Sequence, residues 1–215
     1  MGPSNMEWFE EVSLKYKRKN QILFSKECEL FQDLSYIIKH QNRRTMVLWA
    51  LNLAEESVCV LEEKYPNEHR PRTALELTRF WAAGEIKMTQ AKRAILDCHA
   101  MAKEITIPED IALCHAIGQA CGVVHTVGHA LGYPIYELTA IVRRYGIENC
   151  RVAVETRAYE YVEKLRSLER LNIIYLTSSR KVSALHPTRR KFNKLQKVAV
   201  RLSQGAGLLL FIFHI

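Results

Sequence analysis

Apolar residues recur at intervals of three and four along most of this chain, the spacing that lays a stripe down one side of an α-helix. Between Gln21 and His40, the positions Ile22, Leu23, Cys28, Leu30, Phe31, Leu34, Ile37 and Ile38 follow that rule and predict one amphipathic helix. A second is predicted from about Arg43 to Tyr65, where Met46, Val47, Trp49, Ala50, Leu53, Ala54, Val58 and Leu61 are apolar and Pro66 supplies the stop. Pro71 suits the first turn of a helix from Thr73 to Gly84, and Thr89 is the expected N-cap for Gln90 to Glu104. Pro108, Glu109 and Asp110 combine a missing N–H with negative charge, which a first helical turn favours. Pro134 is expected to interrupt that helix and Gly146 to end the next. A last amphipathic helix is predicted from Glu148 to about Leu168, through Val152, Val154, Tyr159, Tyr161 and Leu165. No strand alternation, internal repeat or low-complexity block interrupts the series. The pattern therefore predicts an all-α fold, a single helical bundle of six to eight helices.

Length and composition agree with one domain carrying an appendage. The 215 residues are 48% hydrophobic, with nine Gly and six Pro, which excludes a disordered or collagen-like chain. The net charge of +8 invites an anionic partner until its position is considered. Eight of the 31 basic residues, and none of the 23 acidic ones, lie from Leu171 onward, so residues 1–170 carry 23 of each. The main body is formally neutral, and nucleic-acid binding is not expected of it. Residues 1–20 read as an N-terminal segment, 21–170 as the all-α domain, and 171–215 as a basic C-terminal extension ending in the apolar run Gly207 to Phe213. That extension allows three readings: phosphate binding by its Lys and Arg side chains or an apolar surface anchor, an extra packed helix, or no selected function.

The six cysteines, Cys28, Cys59, Cys98, Cys114, Cys121 and Cys150, are dispersed without a CxxC pair. Glu7, Glu10 and Glu11 precede any apolar core a signal peptide would need. A reduced, cytoplasmic chain is expected.

The most unusual stretch is Ile111 to Tyr136, which contains no Asp, Glu, Lys or Arg in a chain that is 25% charged. It predicts a helix buried on all sides, from Ile111 to Gly132, at the centre of the bundle. A membrane span would have to place His115, Gln119, His125 and His129 in hydrocarbon, so none is expected. At 100° per residue, Cys114, Gly118, Cys121, His125 and Gly132 form one narrow stripe with Gly128 and His129 on its shoulders. Two explanations compete. Small residues admit a neighbouring helix closely while buried imidazoles bond its carbonyls. Alternatively His125 and His129, with Cys121 one turn earlier and His99 or Cys98 from the preceding helix, form an N/S metal cluster with possible hydrolase activity. No cofactor is expected on the first explanation.

Other chemistry is thin. The chain has no GxGxxG, P-loop, GxSxG or HExxH pattern, and no carboxylate on an evidently apolar face, so the reading is non-enzymatic. Glu55, Glu56, Glu62 and Glu63 recur one heptad apart, as a solvated face or an acidic docking strip. Trp49 and Trp81 read as core anchors. Arg70 and Arg72 flank Pro71 and are expected to cap or pair locally, with partner recognition as the other reading.

Four segments together carry a resemblance. They are VLWALNLAE…LEEKYPNEHRPRTALELTRFW from Val47 to Trp81, AAGEI at 82–86, AKRAILDCHAMAKE at 91–104 and AIGQACGVVHTVGHALG at 116–132. They resemble immunity-protein family number five of bacterial polymorphic toxin systems, over about residues 45–168. The resemblance implies a helical domain that neutralises a cognate protein toxin by stoichiometric binding inside the producing cell, without catalysis. The positions it carries over are Arg70, Pro71, Arg72, Trp81, Gly84, His99, Gly118, His125, Gly128 and His129. This chain has Gln119 where the family pattern has a histidine.

Overall fold

The computed structural model describes the backbone of residues 7–185 and the side chains of residues 7–171. Among the described residues the regular structure is helical, in the order α1 (Trp8–Lys17), α2 (Gln32–His40), α3 (Arg43–Lys64), α4 (Arg70–Ala82), α5 (Met88–Met101), α6 (Pro108–Gly122), α7 (Gly132–Tyr145) and α8 (Arg151–Leu185). Short 3-10 turns precede α2, at Glu29–Phe31, and α7, at Val127–His129. This is the expected all-α bundle.

Two helices make the centre. α3 buries Met46, Trp49, Ala50, Leu53, Ala54, Val58 and Leu61, and opens at Asn42, whose side-chain oxygen accepts the Thr45 N–H at 2.9 Å. α6 lies against α7, α3, α5 and α4, and buries Ala112, Leu113, Cys114, Ala116, Ile117, Ala120 and Cys121. α8 closes the bundle over α3 and α7, with the Trp49 indole donating to the Tyr161 carbonyl at 3.0 Å. α1 adds Trp8 and Val12 to the same core.

The chain departs from its sequence pattern in four places. Residues 21–40 are not one helix: helical hydrogen bonding starts only at Glu29. Leu23 and Phe24 are buried from an extended segment, where the Leu23 N–H donates to Thr139 Oγ1 at 3.2 Å. Their apolar side chains are used tertiarily, Phe24 packing on the rings of Trp8 and Phe31, and not along a helical stripe.

The charge-free segment is likewise two helices and a bend. α6 ends at Gly122, where the Val123 and His125 amides turn back to the carbonyls three residues earlier, Ala120 and Gly122. Val123, Val124, Thr126 and Val127 are β-branched and weak helix formers, and the Arg43 guanidinium takes the Val124 carbonyl that a continuing helix would have used. Pro134, expected as the break, sits in the first turn of α7, where its missing N–H costs nothing.

Gly146 ends α7 with φ 73°, the left-handed backbone that favours glycine. α8 runs past Leu168 to Leu185, across the point where the charge balance changes, and its Val152 and Tyr159 are exposed although they fit the apolar period. Residues 186–215, with most of the basic extension, lie outside the described residues. Among those described, no helix is long and apolar enough to cross a membrane.

Candidate functional site

Because α6 stops at Gly122, His125 and His129 leave the helix axis and sit on the bend that follows it. The same bend turns them toward α5. The exposed side of α5 carries Met88, Lys92, Ile95, Leu96 and His99 at helical spacing, and α6 presents Gly118, Gln119 and Gly122 opposite. Trp81, at the end of α4, completes a groove of about 370 Å³.

Three glycines and an amide give this groove its shape. A Cβ on Gly118 would lie 2.2 Å from His99 Nε2, so the imidazole rests directly on the α6 backbone. Gly122 gives the same clearance to His129, whose ring would stand 3.2 Å from an added Cβ. Gly132 leaves room for Gln119, whose Oε1 would meet a Cβ at 2.4 Å. The stripe of small residues therefore accommodates imidazole and amide side chains, where a neighbouring helix was one expectation.

The polar groups are held in pairs. His99 Nδ1 and His115 Nδ1 are 2.9 Å apart, so one ring donates and the other accepts, and the pair stays intact only while it carries a single proton between those two atoms. Burial lowers the pKa of His99 below its ordinary 6.5, and the neighbouring His115 lowers it further; burial alone lowers that of His115. Tyr136 lies against the far side of His115, ring centres 5.2 Å apart. Gln119 Oε1 accepts from His129 Nδ1 at 2.8 Å, which fixes a proton on Nδ1. His125 stacks on Trp81 with centroids 6.4 Å apart and ring planes inclined by 28°.

Cys121 does not join them. Its thiol is fully buried against α4, 3.8 Å from the Ala74 carbonyl, and burial pushes its pKa up to about 11. Cys98 points at the Cys114 carbonyl, and burial raises its pKa as well. Both thiols are held protonated, the form that neither attacks nor ligates. Among the described residues no three His, Cys, Asp or Glu side chains are grouped to hold a metal ion, so His99, Cys121, His125 and His129 do not converge as a cluster. The expected i, i+4 helical pairing of His125 with His129 is lost with the helix itself. The groove offers imidazole, indole, amide and ammonium groups, but no hydroxyl, thiol or carboxylate.

Trp81 differs from its expectation: it is only partly buried and walls the groove, whereas Trp49 is the core anchor. Arg70 and Arg72 pair locally at the start of α4. Arg70 binds Glu68 and Glu104, and Arg72 makes a two-point contact with Glu62 at 2.8 and 2.6 Å and reaches Glu55. Glu55 also pairs with Arg79, and Glu56 with Arg157 and Lys164. The glutamates of α3 are thus largely neutralised within the chain. Hydrogen bonds from Arg72 hold Glu62 below the usual carboxylate range; at Glu55 burial works the other way and is outweighed by Arg72 and Arg79.

Two carboxylates do occupy apolar faces, against expectation. Asp110 is fully buried and takes Lys64 Nζ at 2.7 Å and the Tyr65 hydroxyl at 2.9 Å. Glu137 accepts from Tyr133 at 2.8 Å, Tyr161 at 2.5 Å and both Nε and Nη2 of Arg157 at 2.9 and 2.8 Å. Tyr133 one turn before Glu137 was the available sequence signal. No buried side-chain polar atom among the described residues is left unpaired, so both clusters read as closed structural networks.

The fold and this groove define a helical-bundle protein with an imidazole-lined cleft that offers no hydroxyl, thiol or carboxylate. The family described as "Imm-5 like putative immunity protein" matches residues 36–164, more than half of the chain, and the protein belongs to that family. No curated protein and no solved structure matches it.

Proposed function

We propose that this protein is an immunity protein that neutralises a cognate bacterial toxin by binding it stoichiometrically in the cytoplasm, without catalysing a reaction. The observation that carries the reading is the family match over residues 36–164, which contains every side chain lining the groove. Of the residues singled out from sequence, Trp81, His99, His125 and His129 are assigned to the partner-facing groove, and Arg70 and Arg72 to holding α4 in place. The buried thiols and the lack of a hydroxyl, thiol or carboxylate in the groove favour binding over catalysis. The test is co-expression of the full chain with the toxin-type protein encoded beside its gene. Restored growth and a 1:1 complex on size-exclusion chromatography are the expected results. Continued killing with no complex at micromolar concentrations overturns the proposal for that toxin.

A further inference from the structure

We infer that the groove between α5 and the α6–α7 bend receives an acidic segment of the protein partner, with an apolar side chain as its anchor and carboxylates beside it. The inference rests on the toxin-binding reading for the identity of the partner, and on the groove itself for the chemistry.

Charge complementarity selects the acidic class. Residues 1–170 are formally neutral, and several carboxylates of α3 are matched by arginines, as Glu55 and Glu62 are by Arg72. At the groove no such pairing is present among the described residues. Lys92, His99, His125 and His129 line it and no Asp or Glu does. Lys92 is exposed and has no carboxylate within ion-pair distance among the described residues. His129 is fixed in the wall by Gln119, and His125 by its stacking on Trp81.

The apolar anchor follows from the walls. Met88 and Leu96 are 40% and 53% exposed on the α5 side, and Ile95 and Trp81 are partly exposed beside them. From Met88 to His99 that wall is about 16 Å long at 1.5 Å per residue, enough for several consecutive residues of a partner and more than one small ion requires. Truncating or charging such a wall removes contact area that a mere ion site would not use.

The test uses the full chain, isotope-labelled, and two blocked hexapeptides: acetyl-Glu-Leu-Phe-Glu-Leu-Glu-amide and its counterpart with glutamine for each glutamate. The acidic peptide is expected to shift the Trp81 indole and the His125 and His129 imidazole signals saturably, with weak affinity about fivefold or more tighter than the glutamine peptide. K92E and L96D, both at exposed positions, are expected to weaken it about tenfold, while K17E, beside Arg143 at the far end of α7, leaves it unchanged. Equal binding of the two peptides, no binding of either, shifts mapping elsewhere, or indifference to K92E each overturns the inference. So do concentration-dependent shifts of the same signals without peptide, which would make a second copy of this chain the occupant. Growth protection separates the two readings. Protection that survives K92E and L96D sinks the groove and spares immunity, whereas failure of the unsubstituted chain sinks immunity and leaves peptide binding to stand alone.

Discussion

His99 lies on Gly118 so closely that one methyl group decides where its ring can be. G118A is expected to push the imidazole off His115 and into the groove, costing about 1–2 kcal/mol for the broken buried hydrogen bond while the helix itself persists. Circular dichroism with urea titration checks the first part, and loss of the His99–His115 coupling in imidazole NMR signals checks the second. The same pair sets a pH dependence. Both rings are lowered below 6.5 by burial, so below that pH the unfolded chain binds protons that the folded pair refuses. Their contribution is full above 6.5 and is lost as pH falls toward the folded values. The melting temperature is therefore expected to fall between about pH 7.5 and pH 5.5, and less so in H115N. A second loss is expected below 4.5, where Glu55, Glu62 and Glu68, all lowered in the fold, take up protons and release their arginines. At the Glu137 network, E137Q removes the charge that compensates Arg157, whose side chain is only 13% exposed. A loss of about 3 kcal/mol in urea unfolding is expected.

At the scale of elements, helix ends matter more than helix interiors. The α6 stop at Gly122 turns the two downstream histidines toward α5, and the α7 stop at Gly146 releases the chain into α8. G146A forces a Cβ into left-handed backbone and is expected to cost about 1 kcal/mol in thermal unfolding, with no change at the groove signals. Helices α3 to α7 were largely legible from period and punctuation, because Pro71, Pro108 and Gly146 act through local geometry that the sequence states outright. The 21–28 segment was misread because the period of its apolar residues mimics a helix while their partners lie more than a hundred residues away, as with Leu23 and Thr139. The break after Gly122 was misread for the opposite reason. A run free of charge looks continuous, and the competing hold of Arg43 on Val124 comes from another helix.

Taken as a whole molecule, the chain separates a neutral helical body from a basic extension. The buried core of the described residues is complete by Leu165, with Leu168 packed on its edge. A chain ended after Leu171 is expected to melt within about 3 °C of the full protein, measured by calorimetry; a larger drop would show that the later residues contribute packing. The residues that resembled the family, Trp81, His99, His125 and His129, come from three separate segments and meet in one cleft, while Arg70, Arg72 and Cys121 do not enter it. Local spacing and charge balance sufficed for helix content, the all-α class and the neutrality of the body, since each depends on neighbours a few residues apart, while the family was legible only as a resemblance of whole segments. The placement of the imidazoles, the pairing of Glu137 and Asp110, and the opening of a carboxylate-free groove were decided only by tertiary structure. They depend on where helices stop and which distant side chains take the freed polar groups, and that competition is settled by packing.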